Sequence, residues 1–214
     1  MDIRGIIPGF LCFLSVLNVI NTISTNKKTK GEKTMKLDLD NWYKVLAPRP
    51  TVLVATVNEK GISNAAPFSF VMPVSIKPAL VAFSSAHKRH TLANIRLVRD
   101  FTINIPGKEL LNQVWECAES LPEGVSEIEE SNLTEVKLDG IKSPGIKECY
   151  AVFSCKLFKE ISAGDHVLVI GEVIGAEIRA DVFENKKFDP HAASPLMHIG
   201  ADEFSLPGEK LIAG

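Results

Sequence analysis

Cysteine is scarce in this sequence. Its four cysteines, Cys12, Cys117, Cys149 and Cys155, are spread over 214 residues and form no Cys-x-x-Cys pair. A disulfide framework in a chain of this length would need more of them, and zinc or thioredoxin-type redox sites use closely spaced pairs. We therefore expect reduced, buried thiols rather than a redox pair, which fits a cytoplasmic protein.

The common sequence motifs of cofactor, metal and nucleophile sites are also absent. The chain has no Gly-x-Gly-x-x-Gly, Walker A, His-Glu-x-x-His or nucleophile-elbow sequence. Gly171 and Gly175 lie inside a strand-like run rather than at a strand-to-helix turn. No two of the five histidines are four residues apart, as the two zinc ligands of a His-x-x-x-His helix are, so we expect no metal site.

Basic residues are not in excess. The formal net charge is −2, which argues against a nucleic-acid binder because no surplus of lysine and arginine is present to neutralise phosphates. The charge is uneven, however. Residues 1–34 carry five basic and two acidic side chains, a net +3, so the remainder carries −5.

The chain has no apolar run of membrane-spanning length, although residues 5–20 read GIIPGFLCFLSVLNVI. Sixteen residues with Pro8 among them are short for a membrane span, and no clear cleavage site marks a signal peptide. Lys30-Gly31-Glu32 can be encoded by a purine-rich ribosome-binding sequence just upstream of the Met35 codon. We favour a start at Met35, with residues 1–34 as a leader outside the fold. A weak membrane anchor is the alternative.

From Met35 onward the pattern predicts one mainly β domain over residues 35–214. Apolar runs predict strands at 51–57, 79–85, 101–106, 149–161 and 166–178, and a hairpin turn at 58–61 in which Gly61 can take a positive φ. Helices are predicted after residue 90, where Leu92, Ile95 and Val98 form a stripe, and over 109–120. Because strands and helices do not alternate regularly, we expect a β-barrel with short helices rather than a doubly wound sheet.

One segment has the composition of an anion site. The predicted strand 79–85 ends in Ser84 and Ser85, and a loop with Lys88 and Arg89 leads to a helix for which Thr91 is a good N-cap. Hydroxyls, basic side chains and the positive end of a helix dipole would then surround one point. The alternative is a solvated surface loop.

A second segment, Asn64-Ala65-Ala66-Pro67-Phe68-Ser69-Phe70, can approach a flat ligand closely because its first residues are small. Backbone N–H groups and the Ser69 hydroxyl would then bond the polar edge of a ring system. The alternative is a strand with a proline bulge whose aromatic side chains pack in the core.

Taken together, these segments resemble the flavin reductase-like family, which includes flavoredoxins. The segment RPTVLVATVNEKGISNAAPFSFVMPVSIKPALVAFS is similar to the family's opening. HKRHTLANI, DFTINIP, GDHVLVIGEVIGAEI and PLMHIGADEFSLPGE then follow in the family's order. The resemblance runs from about Trp42 to Glu209 and leaves the leader outside.

This resemblance implies an FMN-binding split barrel that forms a homodimer, with the flavin near the subunit interface. The residues that it implies around FMN are Asn64, Ala65, Ala66, Pro67, Phe68 and Ser69 for the isoalloxazine, Ser84, Ser85, Lys88, Arg89 and Thr91 for the phosphate, and Asn104 as a further candidate. His166 is the implied catalytic residue, placed where a nicotinamide or acceptor would meet the flavin, and His198 is a second candidate. For each histidine the alternative is a ring bonded to a backbone carbonyl. The stretch from Asn64 to Ser75 contains no cysteine, so a thiol beside the flavin is not expected.

The implied reaction is hydride transfer from NADH or NADPH to FMN, with electrons passed on to free flavin, a ferric complex or a protein acceptor. A Rossmann motif is not required, because a nicotinamide need only stack transiently on an exposed flavin. A flavoredoxin-like carrier that binds FMN without oxidising NAD(P)H remains open as the alternative. A flavin-free binding module is disfavoured because both candidate motifs are intact.

Overall fold

The computed structural model describes residues 34–119, 121–122 and 124–213. It divides the chain into a unit over Met1–Leu39 and a unit over Asp40–Gly214. The described residues of the first unit, 34–39, form no helix or strand. The predicted leader falls almost wholly on residues 1–33, which lie outside the described residues, so the leader and the start at Met35 remain predictions.

The second unit consists mainly of antiparallel strands. In chain order they are β1 (Arg49–Pro50), β2 (Val52–Val57), β3 (Ser63–Phe68), β4 (Val71–Ser75), β5 (Leu80–Ala86), β6 (Asp100–Ile105), β7 (Glu135–Val136), β8 (Gly145–Ile146), β9 (Ala151–Ala163), β10 (His166–Ile178), β11 (Phe183–Glu184), β12 (Lys187–Phe188), β13 (Met197–Gly200) and β14 (Glu203–Ser205). Seven of them form the main sheet in the order β3-β2-β6-β9-β10-β5-β4, and β1-β13-β14 form a smaller sheet.

The helices are short. They are α1 (His90–Val98), α2 (Leu111–Glu116), α3 (Glu127–Glu130) and α4 (Pro190–Ala193), with 3₁₀ turns at Trp42–Val45, Lys108–Leu110 and Ala180–Val182. Among the residues that the structure describes, no helix is both long and apolar enough to cross a membrane.

The predicted fold class is confirmed: the domain is mainly β with a few short helices. The five predicted strand runs correspond to β2, β5, β6, β9 and β10, and Gly61 takes a φ of +80° in the predicted turn. The helix predicted over 109–120 is shorter than expected, because its first residues form a 3₁₀ turn and the α-helix ends at Glu116.

Two apolar clusters lie on opposite sides of β2 and β3. In the first, Leu92 and Ile95 of α1 are fully buried beside Phe83 and Phe101, whose ring centroids are 5.5 Å apart. The second joins side chains of β2 and β3 to α2 and α3 and includes Leu53, Ala65, Val114, Ile128 and Ile146. Helices α1 and α3 are thereby held at the two sides of β3, where a cavity opens.

The cysteines within the described residues are buried and unpaired, which confirms the predicted reduced thiols for Cys117, Cys149 and Cys155. Burial raises the pKa of the Cys117 thiol to about 11 and that of the Cys155 thiol to about 12. Burial likewise raises the pKa of the Cys149 thiol. All three side chains are therefore neutral thiols at physiological pH.

Candidate functional site

A cavity of about 440 Å³ opens between β3, the end of β5 and the segment around α2 and α3. Its walls contain Asn64, Ala66, Pro67, Phe68, Ser69 and Phe70 from β3 and the turn after it; Ser84, Ala86, Lys88, Arg89, His90 and Thr91 from β5 and the start of α1; Cys117, Ala118, Glu119, Leu121 and Glu127; and His166. The two segments that the sequence analysis selected separately thus meet around one space.

Side chains alternate between the two faces of β3, and most of the predicted residues in this stretch line the cavity. Asn64, Ala66 and Phe68 line the cavity, whereas Ala65 points to the opposite side and is fully buried in the second apolar cluster. Pro67 and Ser69 also lie in the wall. Of the residues predicted in this stretch, only Ala65 is turned away, and any contact it makes to a ligand is through its backbone.

A basic rim lies at the end of β5. The side chains of Lys88 and Arg89 are exposed, and neither forms an ion pair with any described residue. Ser84 lines the cavity beside them, but Ser85 is buried and its hydroxyl donates to the Ala86 carbonyl at 3.2 Å. The nine-residue helix α1 begins here, so its first N–H groups and its positive dipole end adjoin the two free cations.

The prediction that Thr91 is the N-cap of this helix is wrong. The cap position is Arg89, whose backbone is extended and whose side chain makes no capping bond. Thr91 lies one residue inside α1 and is 2% exposed, and its hydroxyl donates to Oδ1 of Asn64 at 3.0 Å. It lines the cavity, but its hydroxyl proton is already committed within the protein.

Asn64 is the centre of a buried hydrogen-bond network. Its Oδ1 also accepts from the Thr56 hydroxyl at 3.4 Å, and Asn94 of α1 donates to that hydroxyl at 3.1 Å. On the other side, Nδ2 of Asn64 donates to Oε2 of Glu127 at 2.8 Å. The network fixes the start of α1, strand β3 and helix α3 to one another around the cavity.

Glu127 and Cys117 are cavity residues that the sequence analysis missed. Glu127 is 5% exposed and begins α3, with Ser126 as the N-cap. The backbone carbonyl of Glu127 lies 3.8 Å from the Cys117 sulfur. The Ser-x-x-Glu pattern of Ser126 and Glu129 is a capping-box signal that would have located this helix, although not its place at the cavity. The absence of a thiol from the Asn64–Ser75 stretch did not exclude one from the site.

His166 stands at the start of β10 in the cavity wall, as the catalytic prediction requires. Its Nδ1 lies 2.8 Å from the exposed Oδ1 of Asp165, and its ring centroid is 6.0 Å from that of Phe70. The hydrogen bond from His166 lowers the pKa of the Asp165 carboxyl. A partly exposed imidazole beside an aromatic ring suits contact with a planar ligand.

Asn104 lies away from the cavity. Its Nδ2 donates to the Leu53 carbonyl at 3.1 Å and to the Thr102 hydroxyl at 2.8 Å, while its Oδ1 accepts from the backbone of Ile146 at 2.8 Å. The side chain is buried and ties β6 to its neighbours, so it has no free group for a ligand. His198, too, lies behind the cavity wall rather than in it.

The arrangement suits a flat ligand with an anionic end. At one end lie a helix N-terminus and two cations, Lys88 and Arg89, that have no carboxylate partner among the described residues. Small or aromatic side chains line the space beside β3. The thiol of Cys117 stays protonated and is no nucleophile. No group of three residues able to hold a metal ion is found in the described part of the chain.

Comparison with known proteins agrees with this interpretation. The signature of the flavin reductase like domain matches residues 45–204. Nitrilotriacetate monooxygenase component B from Bacillus cereus is 26% identical and superposes with a TM-score of 0.77 over 88% of this chain and all of that one. A protein with a split barrel domain from Shewanella frigidimarina NCIMB 400 is 22% identical, with a TM-score of 0.75 over 83% of this chain and 92% of its own.

The flavoredoxin of Desulfovibrio vulgaris (Miyazaki F) has the same fold, with 20% identity and a TM-score of 0.72 over 88% of this chain and 97% of its own. The predicted split barrel is thus confirmed. The match to the family signature covers about three quarters of the chain.

Proposed function

We propose that this chain, which belongs to the flavin reductase-like family of flavin-binding proteins, is an FMN-dependent oxidoreductase. The observation that carries the proposal is the cavity in which a strand of small residues faces a basic rim. When bound, FMN supplies the electron chemistry, accepting hydride from NADH or NADPH and passing electrons to an acceptor. The acceptor is free flavin, a ferric complex or a partner protein.

The basic rim binds the FMN phosphate. Lys88 and Arg89 have no carboxylate partner among the described residues, so binding a phosphate breaks no existing ion pair. The N-terminal N–H groups of α1 add donors, and the Ser84 hydroxyl lines the same space. FMN is preferred over FAD because these groups meet around a terminal phosphate.

Strand β3 holds the isoalloxazine. Ala66 lets the ring approach the backbone, and Ser69 offers a hydroxyl to its polar edge. His166, in the cavity wall at the start of β10, would contact the nicotinamide or the acceptor. The ring centroids of Phe70 and His166 are 6.0 Å apart and their planes are tilted by 35°, so both rings can contact a transient planar partner.

The functional unit is a homodimer. Edge strand β4 directly follows the cavity residue Phe70 and ends one side of the main sheet. Met72 and Val74 of β4 and Ile76 just after it are 54%, 46% and 88% exposed. An apolar row of this kind on a sheet edge favours covering by a second copy. Light scattering of the FMN-loaded protein is expected to give a dimer, and a fully loaded monomer would contradict it.

The cellular compartment is the cytoplasm, since a reducing environment keeps three buried thiols free.

The cofactor is tested by a visible spectrum of the purified protein and mass analysis of the compound that heat releases. Fluorescence titration should then give tighter binding of FMN than of riboflavin or FAD. A protein that takes up no flavin would refute the proposal. Anaerobic mixing with NADH and NADPH follows: rapid bleaching of the flavin identifies a reductase. Bleaching by dithionite alone identifies a carrier of the flavoredoxin kind.

A further inference from the structure

Arg49 of β1 is a buried cation directly behind the cavity wall. The residue is 9% exposed, and each of its guanidinium nitrogens is bonded. Nη1 donates to the carbonyls of Tyr43 at 3.1 Å and Leu46 at 2.8 Å. Nη2 donates to the Ile199 carbonyl at 3.3 Å and approaches Nδ1 of His198 at 3.2 Å.

Two contacts connect Arg49 to the cavity itself. Its Nε donates to the Ser69 hydroxyl at 3.4 Å, and its Cζ lies 5.5 Å from the centre of the Phe70 ring. Both Ser69 and Phe70 line the cavity. Arg49 therefore acts on the cavity through these two side chains rather than by touching a ligand.

All the acceptors of Arg49 are neutral. Among the residues that the structure describes, no carboxylate lies within ion-pair distance of its guanidinium. A buried charge is normally paired with an opposite one, because burial strips its water. Backbone carbonyls, a serine hydroxyl and a histidine ring therefore solvate the Arg49 charge, and the cavity residues Ser69 and Phe70 lie beside it.

The tautomer of His198 determines whether the Ser69 hydroxyl is free to donate a hydrogen bond into the cavity. Nε2 of His198 lies 3.1 Å from the Ala201 carbonyl, which can only accept, so Nε2 carries the proton. Nδ1 is then an acceptor, shared by Arg49 Nη2 and the Ser69 hydroxyl at 3.1 Å. If Ser69 turns its proton toward a ligand, Nδ1 keeps its bond from Arg49. The network thus lets Ser69 donate into the cavity without leaving a buried group unsatisfied.

We propose that Arg49, acting through Ser69, makes the cavity bind reduced flavin more tightly than oxidised flavin. This inference rests on the proposed function. Hydride transfer adds two electrons and one proton to the ring and leaves the nicotinamide oxidised, so the ring gains one negative charge. A nearby buried cation stabilises that charge, and the Ser69 hydroxyl, polarised by the guanidinium, donates to the polar edge where the charge accumulates. Arg49 is a positioning residue that sets the potential.

The experiment measures the midpoint potential of bound FMN in wild type, Arg49→Met, Arg49→Lys and Ser69→Ala. Arg49→Met should reduce the preference for reduced over oxidised FMN at least about tenfold, which lowers a two-electron potential by about 30 mV. Arg49→Lys keeps the charge but loses most of the fork of hydrogen bonds, and its preference should stay within about threefold of wild type. Ser69→Ala keeps the guanidinium, so its loss of preference for reduced FMN should be intermediate between those of the two Arg49 variants.

The lysine variant separates electrostatics from structure. If the midpoint potential shifts equally in Arg49→Met and Arg49→Lys, Arg49 only supports the fold and the proposal is wrong. An unchanged potential in both variants would also overturn the proposal. If Arg49→Met does not fold, Ser69→Ala decides the matter, since an unchanged preference there also overturns it. A protein that binds no flavin in either redox state would instead refute the proposed function, so the two failures are distinguishable.

Discussion

The hydroxyl of Thr91 donates a hydrogen bond to Oδ1 of Asn64 at 3.0 Å, joining the first turn of α1 to strand β3. The two residues belong to the two segments that resemble flavin-binding motifs, yet this bond is internal to the protein. Thr91 therefore holds the cavity together, while its neighbours Lys88 and Arg89 are left free to meet a ligand. Substitutions at Thr91 and at Arg89 should therefore affect stability and ligand affinity separately.

Replacement of Thr91 by valine should cost stability rather than affinity. Valine keeps the shape of the side chain but removes the donor to Asn64, and a buried hydrogen bond contributes about 0.5–1.5 kcal/mol. Urea denaturation should show a loss of this size, whereas FMN affinity should change by less than about threefold. Thr91→Ser, which keeps the hydroxyl, is the control. A large loss of FMN affinity with unchanged stability would show instead that Thr91 contacts the ligand.

Replacement of Arg89 by alanine should have the opposite signature. The side chain has no partner among the described residues, so little stability is lost. A charge-assisted hydrogen bond is typically worth about 1.5–3 kcal/mol, which corresponds to FMN binding that is weaker by about ten- to a hundredfold. Riboflavin, which has no phosphate, should bind nearly as before.

Arg96→Ala is the matched control for Arg89. It removes an arginine from α1, the helix that begins directly after Arg89, but Arg96 is paired with Glu160 at 2.9 Å and does not line the cavity. FMN affinity should therefore be unchanged. Equal effects of the two substitutions would mean that general charge, and not a phosphate contact, governs binding.

The sequence was informative where a signal is local. Alternating and continuous apolar runs located β2, β5, β6, β9 and β10, because such patterns follow directly from strand geometry. The basic loop before α1 was equally visible, since lysine and arginine beside a helix start need no tertiary information. The place of Thr91 was misjudged because a threonine near a helix start has two possible partners. Only the fold brings Asn64 close enough to be the chosen one.

The sequence could not predict the site residues whose position depends on contacts with distant parts of the chain. Glu127 lies in a short helix and is brought to the cavity by its bond to Asn64, 63 residues earlier. Arg49 meets His198 across a separation of 149 residues. No periodicity or spacing encodes such pairs, and a buried arginine with only neutral acceptors contradicts the usual expectation for a charged residue. Asn104 is the opposite case: the resemblance suggested a ligand contact, but its side chain is hydrogen-bonded within the protein.

The raised pKa of Cys117 predicts both reactivity and pH dependence. Burial raises it to about 11, from an ordinary value near 9, so the folded state holds the thiol proton more tightly than the unfolded state. The resulting stabilisation is complete below pH 9 and is lost as pH rises from 9 toward 11. Iodoacetamide at pH 8 should leave Cys117 unlabelled in the native protein, and peptide mass mapping should find it labelled in urea. Labelling of the native protein at that pH would show that the thiol is accessible and ionised.

Cys117→Ala tests whether the thiol has any part in flavin binding. Because the neutral sulfur is hydrogen-bonded within the protein, to Ser131 and the backbone of Glu127, its removal should leave FMN affinity within about threefold of wild type. The decline in stability above pH 9 should become shallower in the same variant. An unchanged pH profile would assign that decline to other groups, such as Cys155, whose pKa burial also raises.

The two glycines of β10 should respond differently to alanine. A Cβ at Gly171 would overlap the ring of Phe101, which is fully buried against Phe83 in the core. At Gly175 the nearest atoms, in Ser154, are 3.5 Å from the added carbon, an ordinary contact. Overpacking a core typically costs about 1–3 kcal/mol, so Gly171→Ala should lower the free energy of unfolding by about this amount. Urea denaturation should show it as a lower midpoint with an unchanged slope. Gly175→Ala should keep the free energy of unfolding within about 0.5 kcal/mol of wild type.

FMN affinity should be nearly unchanged in both variants, because neither glycine lines the cavity. Equal tolerance of the two substitutions would mean that Phe101 can move aside. It would also show that Gly171 is not required for the close approach of β10 to the core.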